Sequence, residues 1–245
     1  MYMQMNLFPE SREKNAARQA AAFRKEYRAR VQYTVSDGCA FDEEGRQIDG
    51  WLFPQERRAR PTVLFVLKES GDPDLQLLPR GFWFRDIVGR SDAAAPTPPR
   101  AGLRRKDKIA RTRYFNCLRC IGVHLLGPAF SWASAAYINL NKIGGGSLQQ
   151  EGYKDLADDQ WEAITAQIRQ IDADYVVCLG LSPDNTFERV CRMLGISRAE
   201  RQRGGIRYGG RAYRYARLEE GAYLYEYRHP CIAGYRQDAM SIDRK

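Results

Sequence analysis

Thr62-Val63-Leu64-Phe65-Val66-Leu67-Lys68-Glu69-Ser70-Gly71 is the stretch on which the architecture of this chain turns. After Pro61, the residues from Thr62 to Leu67 form an apolar run of strand length, rich in β-branched and aromatic side chains. A strand with no polar face is buried on both sides, which points to a central strand of a parallel sheet. Further strands read outward from it at Ala135 to Leu140, Tyr175 to Leu179 and residues 222–227, with short ones near 206–208 and 211–217. Helical stretches separate them. Ile109, Tyr114, Leu118, Ile121 and Leu125 give a helical spacing over 103–126 that Gly127-Pro128 stops, and two more helices are expected at about 158–171 and 185–194. Strands that alternate with helices pair in parallel through right-handed crossovers. The expected fold is therefore α/β, a three-layer α/β/α sandwich with a central, mainly parallel four-stranded sheet.

The 245 residues suffice for one buried core, so residues 1–245 are expected to be a single domain. Residues 61–238 would be its core and 1–60 an N-terminal helical extension and lead-in, with 10–31 a charged helix carrying Phe23 inward. Residues 91–102, with three prolines, should be an exposed loop. Lys and Arg total 39 against 30 Asp and Glu, a formal charge of +9 that makes a polyanion the natural partner. No run approaches the ~20 apolar residues of a membrane span, and the N-terminus does not resemble a secretory leader. A cytoplasmic protein with no membrane partner is expected. The six cysteines are scattered and do not form a secreted disulfide pattern.

In a parallel sheet, functional groups gather at the carboxyl ends of the strands. Lys68-Glu69-Ser70-Gly71, Asn139, Gly180 and His229-Pro230 all fall there. Of the two histidines, His124 lies on the apolar helix and reads as a core residue, whereas His229 sits where a strand gives way to a rigid turn. Asn139 is a poor β former at the end of an apolar strand, and its carboxamide matches the amide edge of a pyrimidine. Gly81-Phe82-Trp83-Phe84 sets three aromatics in a row, a surface on which a flipped base would stack.

In this order the pieces resemble the uracil-DNA glycosylase superfamily. That family carries a water-activating motif after the first core strand, then an aromatic that stacks on the base. An Asn at the end of an apolar strand follows, then a strand ending near glycine, and finally an H-P-S-type loop. The matching segments here are VLFVLKESG at 63–71, GFWF at 81–84, AYINL at 136–140, VVCLG at 176–180 and YRHPCIAGYR at 227–236, so the resemblance covers about residues 61–238. It implies that Glu69 positions or activates the attacking water, that Phe84 stacks on the base, and that Asn139 hydrogen-bonds the base edge. His229 would stabilise the charge on the departing pyrimidine. Ser70 stands where the fastest members have a water-binding Asp. Asp72 or Asp74 is an alternative carboxylate, which leaves the general base open. Lys68 replaces the family's first glycine and joins the base-binding set. Tyr235 or Arg236 would be the tip of the wedge that fills the gap left by the base, with Lys142 and Ser147 as further DNA contacts.

The implied activity is a cofactor-free, monomeric DNA glycosylase that flips uracil or a modified pyrimidine from single- or double-stranded DNA and hydrolyses its N-glycosidic bond. Base-excision repair and defence against modified foreign DNA are both open as its purpose. A catalytically inactive nucleic-acid-binding module of the same fold is the alternative. A phosphate-cradling enzyme built on Gly144-Gly145-Gly146-Ser147 has weaker support, because that run lacks the Lys-Ser/Thr ending of a P-loop. Cys117, Cys120 and His124 share a helix face and raise zinc or an iron–sulfur cluster, yet no second ligand pair follows. No metal is expected, and buried cysteines packing as small hydrophobes is the default. Two basic groups are candidates for phosphate contact: Arg104 to Arg113 at one helix start, and Arg201, Arg203, Arg207, Arg211 and Arg214 near the hairpin.

Overall fold

The computed structural model describes residues 33–54, 60–69, 105–128, 130–142, 160–180, 186–208, 211–218, 221–228 and 240–242. The fold is mixed α/β. Its strands are β1 (Thr34–Ser36), β2 (Cys39–Phe41), β3 (Gln47–Trp51), β4 (Val63–Glu69), β5 (Ala135–Asn141), β6 (Tyr175–Leu179), β7 (Gln202–Tyr208), β8 (Arg211–Arg217), β9 (Tyr223–Tyr227) and β10 (Met240–Ile242). The helices are α1 (Arg105–Leu126), α2 (Trp161–Ile171) and α3 (Thr186–Met193).

The strands form one sheet in the order β1-β2-β3-β5-β4-β6-β9-β8-β7-β10. The four strands anticipated as the core, β5, β4, β6 and β9, lie side by side and parallel. The expectation of a four-stranded, mainly parallel sheet is nevertheless corrected: among the described residues the sheet has ten strands. Antiparallel strands extend it on both sides: β3, β2 and β1 beyond β5, and β8, β7 and β10 beyond β9. The reason is local. Asp37-Gly38 and Glu43 to Arg46 are tight turns in which Asp37 and Gly38 both take positive φ, so residues within the expected helical lead-in fold as a meander instead. Residues 10–31, where the charged helix is expected, and the loop at 91–102 lie outside the described residues.

Alternation along the strands builds two cores, one on each face of the sheet. Val63, Phe65 and Leu67 point with Tyr137, Val177, Leu179, Tyr225 and Tyr227 to the face covered by Cys117, Leu118, Ile121 and Leu125 of α1. Leu64 and Val66 point with Ile138, Leu140, Val176 and Cys178 to the other face, under Ile164 and Ile168 of α2 and Phe187 and Val190 of α3. Helix α2 ends at Asp172, whose left-handed backbone returns its N–H to the Ile168 carbonyl at 3.2 Å. The amino ends of β4 and β6 are tied by Asp174, whose carboxylate accepts from the Thr62 backbone N–H at 2.7 Å and the Thr62 hydroxyl at 3.0 Å. Among the described residues, no helix is long and apolar enough to cross a membrane.

Because Ile138 is wholly buried in the middle of a central strand, Ile138→Ala is expected to cost about 2–5 kcal/mol. Urea unfolding followed by circular dichroism measures this as a lower midpoint at unchanged slope.

Candidate functional site

The order β5-β4-β6-β9 means that the chain leaves β4 for one neighbour, β5, and returns to the opposite side for β6. In open α/β sheets such a reversal of strand order marks the carboxyl ends of the strands on either side of it, here β4 and β6, as the place where ligands bind. Strand β4 delivers Lys68 and Glu69 to that rim, and Glu69 stands in register with Asn141. Strand β6 ends at Gly180, whose φ of +124° suits glycine and whose N–H donates to the Tyr227 carbonyl at 2.9 Å. The Thr186 hydroxyl donates to the Leu179 carbonyl at 3.1 Å, so the turn out of β6 is held on both sides. Strand β9 reaches the same rim at Tyr227, paired with Leu179.

Asn139 lies two residues before the end of β5, opposite Leu67. By alternation its side chain shares the α1 face with Ala135 and Tyr137. It is 3% exposed, and its Oδ1 finds no hydrogen-bond partner among the described residues. A buried acceptor left unmade costs roughly 1–3 kcal/mol, so such a group calls for a partner beyond the described residues. Behind it, on the α2 face, lies a polar cluster that sequence reasoning missed. Lys142 Nζ donates to Asp49 Oδ2 at 2.6 Å and to Gln167 Oε1 at 2.8 Å, and Gln167 Nε2 donates to Asp49 Oδ1 at 2.8 Å. All three side chains are fully buried. Burial holds the Lys142 ammonium below its ordinary range, while the Asp49 carboxylate pulls it back up.

This corrects one assignment. Lys142, expected to contact DNA, is buried inside the domain with its charge bound to Asp49, so it presents nothing to a phosphate. The cluster did leave a trace in the sequence. Asp49 interrupts the run Ile48 to Leu52, and Gln167 falls between Ile164 and Ile171 on the inner face of α2. Of the remaining expected site residues, the backbones of Lys68 and Glu69 reach the rim. Ser70, Asp72, Asp74, Phe84, Ser147, His229, Tyr235 and Arg236 lie outside the described residues.

The second basic group divides in two. Arg214 grips the Glu226 carboxylate through Nε at 2.9 Å and a terminal nitrogen at 2.8 Å, and it also bonds Glu188, to which Arg201 is paired as well. These two arginines hold β8, β9 and α3 together, whereas Arg203, Arg207 and Arg211 are exposed. His124, expected in the core, is half-buried, and its Nδ1 lies 2.8 Å from the Cys120 carbonyl of its own helix. Among the described residues no group of three or more His, Cys, Asp and Glu gathers as a metal site.

Removing one member of a buried ion pair strands the other charge. Lys142→Met or Asp49→Leu alone should cost about 3–5 kcal/mol by urea unfolding, and the two together markedly less than the sum. Burial also pushes the Cys191 thiol up to about 12 and the Cys178 thiol well above its usual range. In the native protein both should resist iodoacetamide at about pH 8 and react only once urea unfolds the chain, as read by mass spectrometry. A thiol whose pKa is raised by folding stabilises the fold fully below its ordinary 9.0, so the urea midpoint should fall as pH rises from there through about 12.

Set against protein-family models, curated proteins and solved structures, the chain matches none of them.

Proposed function

We propose that this chain is a DNA glycosylase that flips uracil or a modified pyrimidine out of DNA and hydrolyses its N-glycosidic bond, without a cofactor, as a cytoplasmic monomer. The observation that carries the reading is Asn139: a carboxamide buried near the carboxyl end of a parallel strand next to β4, with an acceptor oxygen that the described residues leave unmatched. An extruded base with a ring N–H supplies the missing donor, and the rest of its edge pairs with the same amide. Helices on both faces of the sheet support the three-layer sandwich that the reading assumes.

In this mechanism Phe84 stacks on the base and Lys68 lines the pocket. Glu69, with Ser70 or Asp72, orients a water against C1′ of the sugar. The C1′–N1 bond breaks as the water oxygen bonds to C1′, the electron pair leaves with the base, and the water's proton passes to the carboxylate that orients it. His229 hydrogen-bonds the pyrimidine O2, where the negative charge collects. Across the rim, β5 and β9 stand three strand spacings apart, about 14 Å. That leaves room for a base with a side chain on either flank. Tyr235 and Arg236 fill the vacated stack, while Ser147 and the exposed arginines Arg203, Arg207 and Arg211 meet phosphates.

Incubation with oligonucleotides carrying uracil or one of several modified pyrimidines, followed by alkali, should release strand breaks at the target base. Asn139→Ala should lower the single-turnover rate on the order of a hundredfold, at unchanged affinity for undamaged duplex. That affinity should fall steeply with salt. Absence of abasic product from every pyrimidine tried, with salt-sensitive binding intact, would leave the inactive binding module as the correct reading.

A further inference from the structure

Resting on that reading of Asn139, we infer that Asp49 is its positioning residue, with Lys142 as the buried counter-ion that keeps the carboxylate in place. The β3–β5 ladder pairs Gly50 with Tyr137 and Trp51 with Ala136. Beyond Tyr137 a side chain takes over from the backbone: Asp49 Oδ2 accepts the Asn139 backbone N–H at 3.0 Å. The same oxygen accepts Lys142 Nζ at 2.6 Å, three residues further along the chain that leaves the rim. One carboxylate thus clamps β5 on both sides of the point where it delivers its carboxamide.

The clamp faces the α2 side while the carboxamide faces the α1 side, so Asp49 touches no base and acts only through the Asn139 backbone. Its own rotamer is fixed by Gln167, which donates to Oδ1 at 2.8 Å and also reaches the Gly38 carbonyl at 3.3 Å. Stability alone does not account for burying such a pair, since well-packed apolar residues of similar volume generally do as well or better. What the pair supplies is a fixed backbone at one position. That position carries the buried amide whose acceptor is unmatched among the described residues. A carboxamide that reads a base edge must be held to within a fraction of an ångström, because small misplacements are costly.

Two charge-neutral double variants separate positioning from fold maintenance. In Asp49→Asn with Lys142→Met, an oxygen remains to accept the Asn139 N–H. In Asp49→Leu with Lys142→Met, none does. With both variants confirmed folded by circular dichroism, the first should excise the target base within a few-fold of wild type and the second at least about tenfold more slowly. In an Asn139→Ala background the Asp49→Leu pair should cost nothing further, because a residue that acts through Asn139 has nothing left to position. Equal rates for the two variants, or a full additional loss in the Asn139→Ala background, would overturn the inference. Amide hydrogen exchange at Asn139 decides it independently of activity. Protection kept in the Asn variant and lost in the Leu variant supports the clamp even if no base is excised, in which case the glycosylase reading alone fails. Equal protection in both sinks the clamp.

Discussion

A central strand has two constraints that a surface strand escapes. Its peptide groups need partners on both edges, and its side chains need cover on both faces. Strand β4 meets the first by pairing in parallel with β5 and β6. It meets the second by alternating between two cores, one under α1 and one under α2 and α3. The remaining organisation descends from this. Parallel neighbours require crossovers, the crossovers carry the helices, and Glu69 and the end of β9 arrive at the same carboxyl edge of the sheet, with Asn139 just before it.

Two polar systems interrupt the apolar interior, and both lie where strands approach that rim. Asp49, Lys142 and Gln167 form a buried set in which both Asp49 oxygens, the Gln167 amide and two of the Lys142 donors are hydrogen-bonded within the cluster or to adjoining backbone. Arg214 joins Glu226 of β9 to Glu188 of α3 across the other flank, and its guanidinium lies over the Phe187 ring at 5.1 Å. Each fixes a strand end that apolar contact alone would hold less specifically. On the opposite face of the sheet lies the amide of Asn139, buried and with its Oδ1 unmatched among the described residues.

The antiparallel additions serve a different end. An open parallel quartet would expose β5 and β9 as edges that invite pairing with other chains. The meander of β1 to β3 covers one edge, and the hairpin of β7 and β8 with β10 covers the other. The hairpin also presents Arg203, Arg207 and Arg211 outward, so the strands that close an edge concentrate positive charge on the surface.

The four parallel strands and three helices were legible in the sequence because each rests on a local pattern: the unbroken run from Val63 to Leu67, the apolar run from Ala135 to Ile138 before Asn139, the helical spacing from Leu118 to Leu125. Asn139 was legible too, since a carboxamide that closes an apolar strand contradicts its own propensity. The β1–β3 meander was not. Its strands are three to five residues long, too short for a period to register, and they exist because β5 offers an edge to pair with. The fate of Lys142 was equally hidden. Composition presents every lysine as a solvated charge, and only the fold reveals that Asp49, 93 residues earlier, waits beside it in the interior. Sequence determines which side chains are available and which segments repeat with the period of a strand or a helix. Tertiary structure alone decides which charges meet, because an ion pair depends on distances between segments that local pattern does not encode.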